Sequence, residues 1–199
     1  MRSVRIGLLA EDDTDCDALE VLVRRLAIEI NAIRPGFKKF GGHGAARLRN
    51  KAEPTLREMV REGCTGAVLV HDLDRDPING QLNDARALRA DLQRIAVPPG
   101  LSRLICIPVE ELEAWFWSDP EVIQHIGRDK GKASVSPHLI KKPKEALINL
   151  SRGANRKPRY RTSDNPRLAE RLNLSLCAQR CPSFRELRDF IRGIVDTAA

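Results

Sequence analysis

Residues 4–13 read Val-Arg-Ile-Gly-Leu-Leu-Ala-Glu-Asp-Asp, a mostly apolar run that stops abruptly in acid. Short runs without polar alternation belong to strands covered on both faces, as in the centre of a parallel sheet. The same profile returns twice. Ala67–Val70 leads into His71-Asp72-Leu73-Asp74-Arg75-Asp76, and Arg103–Val109 leads into Glu110-Glu111-Leu112-Glu113. Three apolar strands that all end in carboxylates are the feature on which the remaining reading turns.

Between these runs the chain carries helical signals. Thr14 and Asp17 have the spacing of a capping box, and Ala18, Leu19, Leu22, Leu26 and Ile30 recur at helical intervals until Pro35-Gly36. Phe37–Phe40 reads as a short strand, closed by Gly41-Gly42-His43-Gly44. A helix is expected over residues 53–62, with Pro54 in its first turn and Gly63 as its stop. Another is expected over residues 83–95. The order β-α-β-α-β-α-β with short connections predicts an α/β fold: an open, mostly parallel, Rossmann-like sheet with helices on both faces. Ligands of such sheets sit at the carboxyl ends of the strands, where Glu11, the Asp72/Asp74 pair and the Glu110–Glu113 block are expected to meet. Residues 1–127 are read as this domain.

Residues 128–199 are read as a basic, mainly helical extension on the same core. It holds Lys141-Lys142-Pro143-Lys144 and Arg156-Lys157-Pro158-Arg159-Tyr160-Arg161. Two closing helices are expected, the last with a Ser183/Glu186 capping box and Phe184, Leu187, Ile191 and Ile194 on one face. Of the eight aromatic residues, Trp115, Phe116 and Trp117 are consecutive and are assigned to the core.

The 199 residues carry 34 Lys and Arg against 27 Asp and Glu, a net charge of +7. A basic chain with concentrated acids suits a carboxylate site ringed by cations that attract a polyanion. Lys141, Lys142, Lys144, Arg156, Lys157, Arg159 and Arg161, with Tyr160, are the expected phosphate-backbone contacts. Five scattered cysteines form neither a disulfide framework nor a zinc signature. No stretch is long enough to span a bilayer, so a soluble, cytoplasmic protein with no membrane partner is expected. Its oligomeric state is left open.

Two carboxylates at alternate positions of an extended segment point the same way and repel unless a cation neutralises them. Asp72-x-Asp74 therefore suggests a hard divalent metal, Mg2+ or Mn2+, that keeps waters for phosphate. Glu11 is placed as a further ligand or a general acid/base, with Asp15 one helical turn on. His71 and His43 are read as structural or loop residues.

A strand ending in Glu11 followed by a helix, then one ending in Asp72-x-Asp74, resembles the Toprim domain of topoisomerases, primases and OLD-type nucleases. Ile107-Pro-Val-Glu-Glu-Leu-Glu-Ala-Trp-Phe-Trp-Ser-Asp119, Pro143-Lys144-Glu145, Tyr160 and Cys181-Pro-Ser-Phe184 resemble a small stand-alone Toprim-like family of bacterial proteins. The resemblance covers nearly the whole chain. It implies a metal-dependent nuclease of the phage-defence or abortive-infection kind, acting on DNA or RNA, with an ATPase partner encoded nearby. It makes Glu11 the catalytic glutamate, with Asp72 and Asp74 catalytic beside it, and makes Glu11, Asp15, Asp72, Asp74, Glu111 and Glu113 the metal-holding acids. Lys144 would steady transition-state charge. Asp12 follows Glu11 where relatives of that family usually carry glycine. Two other readings compete: a receiver-like phosphoacceptor built on Leu9-Ala-Glu-Asp-Asp13, Asp72 and Lys142-Pro143, and a Toprim-like partner of an ATPase that does no chemistry.

Overall fold

The computed structural model describes residues 4–29, 36–41, 45–128, 130–152 and 157–196. Four parallel strands, β1 (Arg5–Ala10), β2 (Gly36–Gly41), β3 (Gly66–Val70) and β4 (Ser102–Cys106), pair in the order β2-β1-β3-β4. The expected open, Rossmann-like α/β sheet is therefore present. Alternation along β1 and β3 divides the core in two. Ile6, Leu8, Ala10, Val68 and Val70 face one cluster with α1 (Asp13–Glu29), while Leu9, Ala67 and Leu69 face another with α2 (Ala45–Arg61). The second cluster also takes Leu92 of α3 (Ala85–Gln93).

This layout fixes where a crevice opens. From β1 the chain winds outward over one face to β2, then crosses beneath the sheet to β3 and continues to β4. The winding reverses between β1 and β3, and the space beyond their carboxyl ends is the natural ligand site.

The remaining helices are α4 (Pro120–Gly127), α5 (Pro143–Leu150), α6 (Asn165–Arg171), α7 (Leu174–Arg180) and α8 (Pro182–Asp196). Leu168, Leu174, Cys177, Phe184, Leu187 and Ile191 of the last three join the same buried cluster as α1. Trp115 and Phe116 are buried, and Trp115 packs edge-on against Phe184 with ring centroids 5.1 Å apart. All five cysteines are buried free thiols. No helix among the described residues is long and apolar enough to cross a membrane.

Several local expectations are corrected. The cap of α1 is Asp12, whose Oδ1 accepts the Asp15 N–H at 2.8 Å, rather than Thr14, which is already helical. Helix α2 starts at Ala45, so Pro54 lies inside it and not in its first turn. Burial of Leu48, Ala52, Leu56 and Met59 on the sheet outweighs the one hydrogen bond a proline forfeits. Gly63 does stop that helix: with φ at 78° it allows the Gly63 N–H to reach Val60 O and Cys64 N–H to reach Met59 O, both at 2.9 Å. Strand β4 ends at Cys106, and Leu112–Ser118 is a 3-10 helix. Helix α5 lies within the mainly helical extension as expected, but three helices close the chain instead of two. The Ser183/Glu186 box does not form, since Ser183 Oγ accepts from Trp115 Nε1 and Glu186 pairs with Arg89. Ile30, Pro35, His43 and Arg156 lie outside the described residues.

Candidate functional site

Glu11 follows β1 and Asp72 follows β3, so the two acids flank the reversal of winding. They are joined directly: the Asp72 backbone N–H donates to Glu11 Oε1 at 3.1 Å. Buried His71 lies beside both. Arg49 Nε donates to His71 Nε2 at 3.2 Å, which leaves the ring proton on Nδ1, 2.8 Å from Asp72 O and 3.3 Å from Glu11 Oε1. One oxygen of Glu11 is thus committed to holding the crevice together.

Around this pair the first turn of α1 contributes Asp15, and the segment after β4 contributes Glu111 and Glu113. Their mutual fields are strong. Burial pushes the Asp72 carboxyl well above the usual range, and Asp15, Glu11, Glu113 and Glu111 push it further. Asp15 is raised to about 8 by burial and then by Asp12, Glu113 and Glu11, with Lys144 opposing. Glu11 is raised by burial and by Asp74, against the pull of His71, the Asp72 N–H and Arg49. Asp72 with Asp74 lines an open depression of about 310 Å³, together with Arg49, His71, Asp84 and Asp91. Asp74 is exposed.

The other acids have structural partners. Glu110, in a left-handed backbone conformation with φ at 63°, is buried and receives Arg75 Nε at 2.7 Å and the Lys142 N–H at 2.7 Å. Glu111 receives both the Lys144 N–H at 3.0 Å and the Lys144 ammonium at 2.7 Å, so it fastens the start of α5. Burial would lower the Lys144 pKa, but Glu111 and Glu113 together hold it above its ordinary value. The ammonium expected to face phosphate is therefore engaged in an ion pair. Buried Glu113 accepts from Asn165 Nδ2 at 3.0 Å and from the Tyr160 hydroxyl at 3.3 Å. Burial raises its pKa against the lowering effect of the Asn165 hydrogen bond.

Of the basic residues read as nucleic-acid contacts, Lys141 and Lys142 are exposed just before α5, beside Glu110 and Glu111. Lys157, Arg159 and Arg161 are exposed further along the chain. Tyr160 is not on that surface: it is buried, with its hydroxyl 2.6 Å from Asn165 Oδ1. Asn165 and Arg49 escaped the sequence reading because nothing in their neighbours or spacing marks them as supports of Glu113 and His71.

Glu11, Asp15, Asp72 and Asp74 offer the crevice carboxylate oxygens, a chemistry that fits Mg2+ or Mn2+. Among the described residues, however, no three His, Cys, Asp or Glu side chains stand arranged to hold a metal ion. Residues 10–192 match the family described as "Domain of unknown function (DUF4276)". No curated protein and no solved structure matches the chain.

Proposed function

The chain belongs to the DUF4276 family, and from the geometry of its own crevice we propose a divalent-metal-dependent nuclease that hydrolyses phosphodiester bonds in DNA or RNA. The observation that carries this reading is the gathering of Glu11, Asp15, Asp72 and Asp74 where the sheet reverses its winding, with burial first and neighbouring carboxylates second holding the Glu11, Asp15 and Asp72 carboxyls above their ordinary range. Raised carboxyl pKa values in a crevice mark groups poised to exchange protons for a cation.

Asp72 and Asp74 would hold the metal, with Glu11 or Asp15 completing the set after rotation of a half-buried side chain. Bound Mg2+ or Mn2+ would steady the charge that develops on the phosphate. Glu11 keeps one oxygen on the Asp72 N–H and His71, leaving the other to accept or return a proton. Glu111 and Glu113 act from behind, the first by anchoring α5 and the second by adding negative field to Asp72 and Asp15. Lys144 offsets part of that field from within its pair with Glu111. Lys141 and Lys142 are exposed close enough to α5 to meet a nucleic-acid backbone. The Toprim-like kinship, the phage-defence setting and an ATPase partner belong to the same reading and rest on the sequence resemblance alone. One rival reading keeps the same fold, a Toprim-like subunit without chemistry of its own, and it too rests on the sequence resemblance.

The test is cleavage of labelled single-stranded and duplex DNA and RNA with Mn2+ or Mg2+. Wild type is expected to cut and Asp72→Asn to be inert at matched folding. Full cleavage by Asp72→Asn would overturn the assignment.

A further inference from the structure

Tyr160, whose hydroxyl meets Glu113 and Asn165, also lines a second cavity of about 260 Å³, formed by the end of α4, residues 159–164 and the start of α6. Its apolar floor is Ile126, Leu168 and Tyr160. Its polar lining is different in kind from the crevice: Arg128, Arg159 and Arg167 converge on it with His125, against one carboxylate, Asp164. We propose that this cavity binds a terminal phosphate monoester, supplied by a free nucleotide or by the phosphorylated end of a nucleic-acid strand.

The first reason is that these guanidinium groups are unpaired. Elsewhere Arg24, Arg75 and Arg89 bond carboxylates, and Arg25, Arg103 and Arg180 bond backbone carbonyls. Among the described residues the side chains of Arg128, Arg159 and Arg167 make no hydrogen bond or ion pair, although all three line one small space. All three are exposed, and with only Asp164 set against them their like charges repel, a repulsion that a bound anion relieves. Arg167 also stands in the first turn of α6, where the helix dipole disfavours a cation.

The second reason is the charge count. Asp164 already accepts the Arg161 N–H at 2.9 Å through Oδ2. Three guanidinium groups against this one carboxylate leave a surplus of two positive charges. A phosphate monoester carries close to two negative charges at neutral pH, whereas an internal phosphodiester carries one. The planar guanidinium fork matches phosphate oxygens in pairs. The third reason is size: the space lies just below the usual range of small-molecule sites, enough for a phosphate and its immediate attachment but not for a duplex.

This inference stands apart from the nuclease reading, because its residues and its readout are different. The experiment is calorimetric titration of the full chain with AMP, adenosine, and a 5′-phosphorylated or 5′-hydroxyl hexanucleotide. AMP is expected to bind and adenosine not to. Arg128→Gln/Arg167→Gln should weaken AMP binding at least about tenfold, the loss expected when charge-assisted hydrogen bonds are removed. Arg192→Gln, on α8 and outside the cavity, should leave it unchanged. A 5′-phosphorylated strand that binds tighter than both AMP and its 5′-hydroxyl form would identify the strand end as the source; equal or weaker binding than AMP would identify the nucleotide. No binding of AMP at millimolar concentration, adenosine binding as well as AMP, or unchanged AMP binding in the double variant would each overturn the proposal.

Discussion

Replacing Asp15 by Asn should stabilise the metal-free protein, and by an amount that grows with pH. In the folded chain the Asp15 carboxyl holds its proton up to about pH 8, against an ordinary value of 3.8. Between those values the folded state binds more protons than the unfolded state, so stability falls as pH rises through the interval. The loss is absent below about pH 4 and complete above pH 8. From 3.8 to neutrality, at about 1.36 kcal/mol per pH unit, it comes to about 4 kcal/mol. Asn keeps the shape and cannot ionise. It also relieves the repulsion that Asp15 exerts on Asp72. Urea unfolding of wild type and Asp15→Asn in the presence of a chelator, at pH 4, 6 and 8, would measure the gap. The expected result is near-equal stability at pH 4 and an advantage to the variant of several kcal/mol at pH 8, with about 4 kcal/mol as the upper limit at neutrality. A variant no more stable than wild type at pH 8, or a gap that does not change with pH, would refute the reasoning.

Three further outcomes follow from the supports of the site. Arg75→Ala leaves buried Glu110 without its guanidinium partner and should cost about 3 kcal/mol in denaturant unfolding, the cost of stranding a buried charge. Asp119→Ala removes an acceptor that serves both the Glu121 N–H at 2.8 Å and the Asn173 N–H at 2.6 Å. Loss of that shared cap should cost about 2 kcal/mol in the same assay. Tyr160→Phe deletes the hydroxyl between Asn165 and Glu113 and should cost about 1–2 kcal/mol, again read by unfolding.

Much of the sheet was legible because its strands are written in a simple code. Apolar runs covered on both faces, each closed by acid, located β1 and β3 to within a residue and placed Glu11 and Asp72 at their ends. The helices were less legible where tertiary packing overrode local signals. Pro54 reads as a helix start, yet the buried stripe of Leu48, Ala52, Leu56 and Met59 carries α2 back to Ala45. Ser183 and Glu186 read as a cap, yet Trp115 and Arg89 claim their side chains from distant elements. The same reason hid the division of labour among the acids. Adjacent in sequence, Glu110 and Glu111 serve Arg75 and Lys144, while Glu113 is held by Asn165 and Tyr160 from beyond the sheet domain. Spacing along a chain cannot distinguish a carboxylate aimed at a crevice from one that fastens a helix. The arginines of the second cavity come from three separate stretches, and only Arg159 among them stands in a basic cluster.

The central claim is that the crevice formed by Glu11, Asp15, Asp72 and Asp74 takes a divalent cation. Its most direct test is calorimetric titration of Mn2+ into wild type and Asp72→Ala/Asp74→Ala at pH 7, in two buffers of different ionisation enthalpy. Because Asp15 titrates at about 8 and Asp72 lies well above the usual carboxylate range, the account predicts binding by wild type with release of protons, and loss of both in the variant. No binding at millimolar Mn2+, or binding unchanged in the variant, would contradict it.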